Sequence, residues 1–128
     1  MNIMIIEDEP DIRVYLSTVL EDKGYNVVTV DEGDSVISIV NEKKPDLVIL
    51  DIMMPKRSGI SIYRELRKSG QAGDIPIILM SGMLPAKDFM PNGFRKLIKD
   101  ETIPLPDGFI EKPVRLEELF TLVENLLA

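Results

Sequence analysis

The residues of this chain that could do chemistry are carboxylates placed at the ends of apolar runs. Glu7-Asp8-Glu9 closes the first such run, and Asp51 closes a second, Asp46-Leu47-Val48-Ile49-Leu50. If both runs are strands of an open parallel sheet, their carboxyl ends lie on one edge, where such sheets bind ligands. Glu7, Asp8 and Asp51 then converge. Like charges about 4 Å apart repel by roughly 4 kcal/mol at an effective dielectric near 20, so the cluster must hold a proton or recruit a cation. Oxygen donors of this kind suit a hard divalent ion, Mg2+ or Mn2+. Two further strand ends carry complementary groups: Ser81 follows Ile77-Ile78-Leu79-Met80, and Lys112 follows Phe109-Ile110-Glu111 and precedes Pro113.

Short β-branched runs alternate with longer amphipathic ones, the pattern of a parallel sheet covered by helices on both faces. The expected strands are Asn2–Ile6, Tyr25–Val30, Asp46–Leu50, Ile75–Met80 and Gly108–Glu111. A first helix is expected from Pro10 to Lys23, with Ile12, Leu16, Val19 and Leu20 on its inner face, proline near its start and Gly24 just past its end. A second spans Asp34 to Lys43 with Val36, Ile37 and Val40 turned inward, a third covers Ser58 to Ser69, and the last runs from Arg115 to Leu127. Between Gly82 and Gly108 four prolines leave room for a shortened helix only, seated by Phe94, Leu97 and Ile98, with Thr102 to Asp107 as a loop. Met53 and Met54 read as packing residues. No repeat or linker interrupts the chain, so a single domain over residues 1–128 is expected.

Composition narrows the function classes. A net charge of −7 argues against nucleic-acid binding by this domain, because phosphate backbones demand basic patches. No apolar run approaches the roughly 18 residues of a membrane span, and no basic stretch precedes an apolar one at the N-terminus, so neither a membrane nor a secretory route is expected. The chain has no cysteine, which fits a cytoplasmic location. It also has no histidine, so any phosphohistidine or histidine base must come from a partner.

Together, four stretches identify a resemblance: Ile5-Ile6-Glu7-Asp8-Glu9-Pro10; Leu50-Asp51-Ile52-Met53-Met54-Pro55, with Gly59 four residues on; Ile78-Leu79-Met80-Ser81-Gly82; and Phe109-Ile110-Glu111-Lys112-Pro113. In order and over its whole length, the chain resembles the receiver domain of bacterial two-component response regulators. The resemblance implies a three-layer α/β fold with a five-stranded parallel sheet in flavodoxin-like order 2-1-3-4-5. It implies that Asp51 is the phosphoacceptor, taking a phosphoryl group from a phosphohistidine of a sensor histidine kinase or histidine phosphotransfer protein. Asp8, Asp51 and the backbone carbonyl of Met53 would hold Mg2+ directly, with Glu7 acting through water. Glu7 stands where the family more often has aspartate. Lys112 would pair with a phosphoryl oxygen, its bond to Pro113 being cis in the family, while the Ser81 hydroxyl and the Phe109 ring would form the switch. A phosphorylation-dependent homodimer and an unknown downstream protein are the partners this reading leaves open.

Singly, each residue has an ordinary reading: an acidic helix start, a loop aspartate, a turn hydroxyl, a lysine before a helix, a core phenylalanine. Their joint placement at four strand ends favours the site. Other classes compete with it: an interaction module that signals without phosphorylation, and a haloacid-dehalogenase-like hydrolase, which wants an aspartate where Met53 stands. A flavodoxin-like flavin carrier fits worse, since the acidic first loop would repel a cofactor phosphate. The stretch between Ser81 and Phe109 is longer than is usual in the family and is expected to serve a partner peculiar to this protein. Deleting Met90 to Thr102 is expected to spare phosphorylation and abolish partner binding.

Overall fold

The computed structural model describes residues 1–30, 35–54, 58–70, 73–82 and 88–128, apart from the side chains of Phe89 and Pro91. Five short runs rich in Ile, Val and Leu form one parallel sheet in the order β2-β1-β3-β4-β5: β1 (Asn2–Ile6), β2 (Asn26–Val30), β3 (Leu47–Asp51), β4 (Ile77–Ser81) and β5 (Gly108–Glu111). Because all strands are parallel and the three central ones are covered on both faces, β3 and β4 are buried from end to end. The period of two in side-chain direction then divides the core. Met4, Ile6, Val48, Leu50, Ile77, Leu79 and Phe109 point to one face, and Ile3, Ile5, Leu47, Ile49, Ile78, Met80 and Ile110 to the other.

Helices α1 (Pro10–Asp22) and α5 (Leu116–Leu127) cover the second face through Leu16, Leu20, Leu119 and Val123. Helices α2 (Val36–Lys43) and α3 (Gly59–Lys68) cover the first through Val36, Val40, Ile62, Tyr63 and Leu66. Their starts follow from local chemistry. Pro10 opens α1, where its missing N–H costs nothing, and Ser58 caps α3 by accepting a bond from the Ser61 amide at 3.2 Å. Ser35 caps α2 in the same way, so α2 starts at Val36, not at Asp34, which lies outside the described residues. The third strand runs one residue further than expected and includes Asp51, while the fourth starts at Ile77, just after Pro76, and runs through Ser81.

After Asp88 the chain makes a π-helical turn, Phe89–Gly93, in which Met90 is extended (φ −106°, ψ 130°) because the residue before a proline is driven out of the helical region. A single α turn follows, α4 (Phe94–Leu97), and the chain straightens at Ile98. Phe94 and Ile98 are buried as expected, but Leu97 is 46% exposed. One turn cannot keep three apolar residues on one face once Ile98 has left helical geometry. Ile103, in the following loop, also enters the core. The loop is tied to α3: the Tyr63 hydroxyl donates to the Pro104 carbonyl at 2.7 Å, and the Arg67 guanidinium, nearly buried, reaches Asp107 at 2.7 Å and the Ile75 carbonyl at 2.6 Å.

Candidate functional site

The sheet register decides what meets what. Ile6 pairs with Leu50, Leu50 with Leu79, and Ser81 with Glu111, so the carboxyl ends of β1, β3, β4 and β5 align on one edge. Glu7 and Lys112 stand one residue beyond their strands, whereas Asp51 and Ser81 are the last residues of theirs. Glu7, Asp51 and Ser81 are all buried, unusual for such groups in a small domain.

Lys112 joins the acids. Its Nζ donates to Glu7 Oε1 at 2.7 Å and to Asp51 Oδ2 at 3.0 Å. The other Asp51 oxygen, Oδ1, accepts from the backbone N–H of Met53 at 3.0 Å. The scaffold around these side chains is fixed from several directions. The Lys112 amide donates to the Ser81 carbonyl at 2.9 Å, the Ile52 amide to the Met80 carbonyl at 3.1 Å, and the Lys112-Pro113 peptide is cis. Arg13, one turn into α1, donates to the Glu7 carbonyl at 3.0 Å. Both carboxylate oxygens of Asp8 are shielded from solvent.

Gly59 is the closest approach in the site's framework. The first residue of α3 lies so tightly over the Asp51-Ile52 peptide that a Cβ there would collide with the Asp51 carbonyl oxygen and the Ile52 Cα. Met53 pairs with Ser58 in an isolated antiparallel bridge, which closes the loop between β3 and α3. That bridge turns Met53 outward, leaving it 53% exposed. Met54 packs into the core as expected, and Met53 does not.

Electrostatics follow from this geometry. Burial and the neighbouring Asp51 carboxyl push the Glu7 pKa up to about 7, although Lys112 pulls it down. Burial disfavours the Lys112 ammonium, but its bonds to Glu7 and Asp51 outweigh that and hold its pKa above the ordinary lysine value. Glu7, Asp8 and Asp51 bring three acidic groups to an edge at which Lys112 is the ammonium that pairs with two of them. Among the described residues no three carboxylates are drawn in as a preformed metal-ligand cluster; the ammonium lies between Glu7 and Asp51. The donor set nonetheless fits a hard divalent ion: it is made of oxygens, anionic in excess, and shielded from water.

The remaining expected residues lie on the same framework. Ser81 ends β4 beside β5. Phe109, in the middle of β5, is turned inward and packs with the core on the α2–α3 face. The part played by Arg13 carries no signal in the sequence, because a bond from a helix to a carbonyl six residues earlier has no motif. Gly59 had one, its place after Asp51, but not the reason for it.

The family model of the response regulator receiver domain matches residues 3–124. This chain belongs to that family. It is similar to the probable transcriptional regulator ycf27 of Porphyridium aerugineum, 40% identical over 126 residues covering 98% of this chain and 47% of that protein. It is also similar to the phosphate regulon transcriptional regulatory protein PhoB of Escherichia coli, 37% identical over 125 residues covering 98% and 51%. The chain thus spans about half the length of the curated relatives it matches. Among solved structures, the signal receiver domain of a signal transduction histidine kinase from Syntrophus aciditrophicus superposes with a TM-score of 0.79 at 30% identity, over 98% of this chain and 89% of that one. A chemotaxis protein of Vibrio cholerae reaches 0.80 at 22% identity over 98% of both chains, a likeness of fold alone. Receiver domains belong to two-component systems, and none of the helices among the described residues here is long and apolar enough to cross a membrane.

Proposed function

We propose that this receiver domain is a phosphoacceptor switch in which Asp51 takes a phosphoryl group from the phosphohistidine of a sensor histidine kinase or histidine phosphotransfer protein. The P–N bond to the partner's imidazole breaks, a P–O bond to Asp51 forms, and the leaving imidazole picks up a proton. The observation that carries the reading is the Lys112 ammonium held 3.0 Å from a buried Asp51 oxygen. The transferring phosphoryl spreads negative charge over three oxygens, so its transfer is mostly a matter of positioning and electrostatics, and a lysine point charge in a partly dry site supplies both.

Asp8, Asp51 and the Met53 carbonyl are the groups that would hold Mg2+ or Mn2+, with Glu7 acting through water; the ion, when bound, neutralises the crowded oxygens. Met53 donates its N–H to Asp51 Oδ1, which fixes the rotation of that carboxylate and supports Oδ2 as the oxygen next to Lys112. Ser81, at the end of the adjacent strand, supplies the hydroxyl that would bond the phosphoryl group. Phe109, one strand over, is the ring that would respond, and its inward position corresponds to one of two arrangements that phosphorylation would bias. An apolar groove beside Lys112, lined by Ile12, Tyr15, Pro113 and Val114, supports a protein as the phosphoryl donor. Transcriptional regulation is the named role of its relatives, and for this chain a downstream partner, a cytoplasmic setting and a phosphorylation-dependent homodimer belong to the same proposal.

Borohydride reduction after treatment with acetyl phosphate and Mg2+ tests this directly, because it traps an acyl phosphate at the residue that carries it. Peptide mapping should place the reduced residue at position 51. Trapping at Asp8 or Glu7 instead would contradict the assignment.

A further inference from the structure

Strand β2 forms one edge of the sheet and pairs with β1 alone. The Asn26 amide donates to the Met1 carbonyl at 3.0 Å, so Asn26, Val28 and Val30 turn their N–H and C=O groups toward β1. The groups of Val27 and Thr29 therefore face outward, two donors and two acceptors with no strand beside them among the described residues. Proteins commonly blunt such an edge with a charge, a proline or a bulge. Asn26-Val27-Val28-Thr29-Val30 has none of these, in a chain that carries a net charge of −7. Alongside runs a groove lined by Arg13, Val14, Ser17, Thr18 and Glu21 of α1 and by Thr29. Val14 is 66% exposed there, and the Ser17 hydroxyl is shielded from solvent without a hydrogen-bond partner among the described residues.

We propose that this edge is an interface between two copies of the chain, in which β2 pairs antiparallel with β2 of the second copy and the two sheets become one. The register follows from the outward groups. With a two-fold axis through Val28, Val27 lies opposite Thr29 of the second copy, and Thr29 lies opposite Val27. Each such pair exchanges two hydrogen bonds, so all four outward groups of each copy are satisfied. Val28 meets its own counterpart, a β-branched pair with no like charges to oppose it. Because α1 spans the connection from β1 to β2, its middle lies level with Val28, and the same axis runs the helix antiparallel past its counterpart. Ser17 stands midway between Arg13 and Glu21 in sequence, so each arginine approaches Glu21 of the second copy and the two Ser17 hydroxyls come to the axis. An edge that is its own complement in hydrogen bonds and in charge favours a second copy over a foreign strand. The contact is one short strand and one helix flank, so the dimer depends on concentration and is not obligate. The strand pairing uses no residue of the Asp51 site and needs no phosphoryl group.

The chain has no cysteine, which makes a cross-link at the axis a sharp test. A non-hydrogen-bonded antiparallel pair holds its Cα atoms about 4.5 Å apart, within the span of a disulfide. Val28→Cys should form a covalent dimer on mild oxidation with copper phenanthroline, far faster than Asn125→Cys, whose side chain is exposed on α5. Sedimentation equilibrium of the wild-type chain from micromolar to millimolar concentration should show monomer passing into dimer. Thr29→Pro deletes an outward N–H and leaves the ladder to β1 intact. It should weaken the dimer at least about tenfold while circular dichroism and melting temperature stay near wild type. Thr29→Lys, which puts an ammonium on the edge, should weaken it likewise and serves if the proline variant does not fold. A wild type that stays monomeric at millimolar concentration overturns the proposal and leaves the edge to a strand of another protein. A dimer untouched by both Thr29 variants overturns it too, as does Val28→Cys cross-linking no faster than Asn125→Cys.

Discussion

Glu7 is a carboxyl group kept between two identities, and pH decides which it takes. Its pKa in the folded chain, about 7, lies above the ordinary value of 4.5. Between those values the folded protein keeps a proton that the unfolded chain has lost, so the contribution of Glu7 to stability is fully present below pH 4.5 and disappears as pH rises through 7. Metal-free protein is therefore expected to lose stability toward neutral pH at this residue, and Glu7→Gln should flatten that part of the profile. Urea melts at a series of pH values in EDTA check it; a profile unchanged by Glu7→Gln would contradict it. Gly59 gives a second prediction at this scale. Adding a methyl group there drives it into the Asp51-Ile52 peptide, which is backbone and cannot rotate away. Gly59→Ala is expected to cost about 3 kcal/mol and to slow labelling of Asp51, as read by urea unfolding and by acetyl phosphate kinetics. The acids, Ser81, Phe109 and Lys112 were legible in the sequence because each closes or occupies a strand whose apolar run is unmistakable. Met53 departs from its expected packing role and lies exposed: the same methionine chemistry serves core and surface, and the pairing of Met53 with Ser58 is tertiary. Arg13 was missed for a related reason, since its partner is a carbonyl.

At the scale of elements, the loop before β5 is held to α3 by one polar cluster. Asp107 Oδ2 accepts from Arg67 at 2.7 Å and from the Ile77 amide at 2.8 Å, while Arg67 also donates to Tyr63 and to the carbonyls of Gly73 and Ile75. Tyr63 in turn meets Phe94 edge to face, with ring centres 5.5 Å apart. Removing Asp107 leaves a nearly buried guanidinium short of its carboxylate. Asp107→Ala should cost about 2 kcal/mol, its partial exposure moderating the loss. The cluster sits at the amino end of β4, away from Asp51, so phosphorylation by acetyl phosphate should be unaffected. Equal loss of labelling and stability would show that this end of the sheet is coupled to the site. The same contacts revise the expectation for the segment between β4 and β5. Phe94 and Ile98 belong to the core, so deleting Met90 to Thr102 removes core side chains and is expected to lower stability as well. Phe94→Ala alone should cost about 3 to 5 kcal/mol, measurable by urea unfolding, whereas substitution of exposed Leu97 should leave stability within about 0.5 kcal/mol of wild type. The strands and the long helices followed from periodicity and capping. The π turn and the single turn of α4 did not, because they depend on where Met90 is driven by the next proline and on what Tyr63 and Arg67 hold in place.

Across the whole molecule, a parallel sheet brings together residues distant in the chain, and here the register aligns the ends of β1, β3, β4 and β5 at one edge. Lys112 meets Glu7 across 105 positions of sequence. The placement of acids and ammonium at that edge is a property of the topology, which the alternating pattern made legible before any distance was known. The sequence could not reveal that the ammonium bridges Glu7 and Asp51, at 2.7 Å and 3.0 Å, because that depends on the reach of three side chains. The central claim is that Asp51 accepts a phosphoryl group with help from a divalent cation. Intact-mass measurement after acetyl phosphate, with Mg2+ and with EDTA, for wild type and Asp51→Asn, tests it most directly. Wild type should gain the mass of one phosphoryl group with Mg2+ only, and Asp51→Asn should gain none under either condition; the same gain in Asp51→Asn, or no gain in wild type with Mg2+, would contradict it.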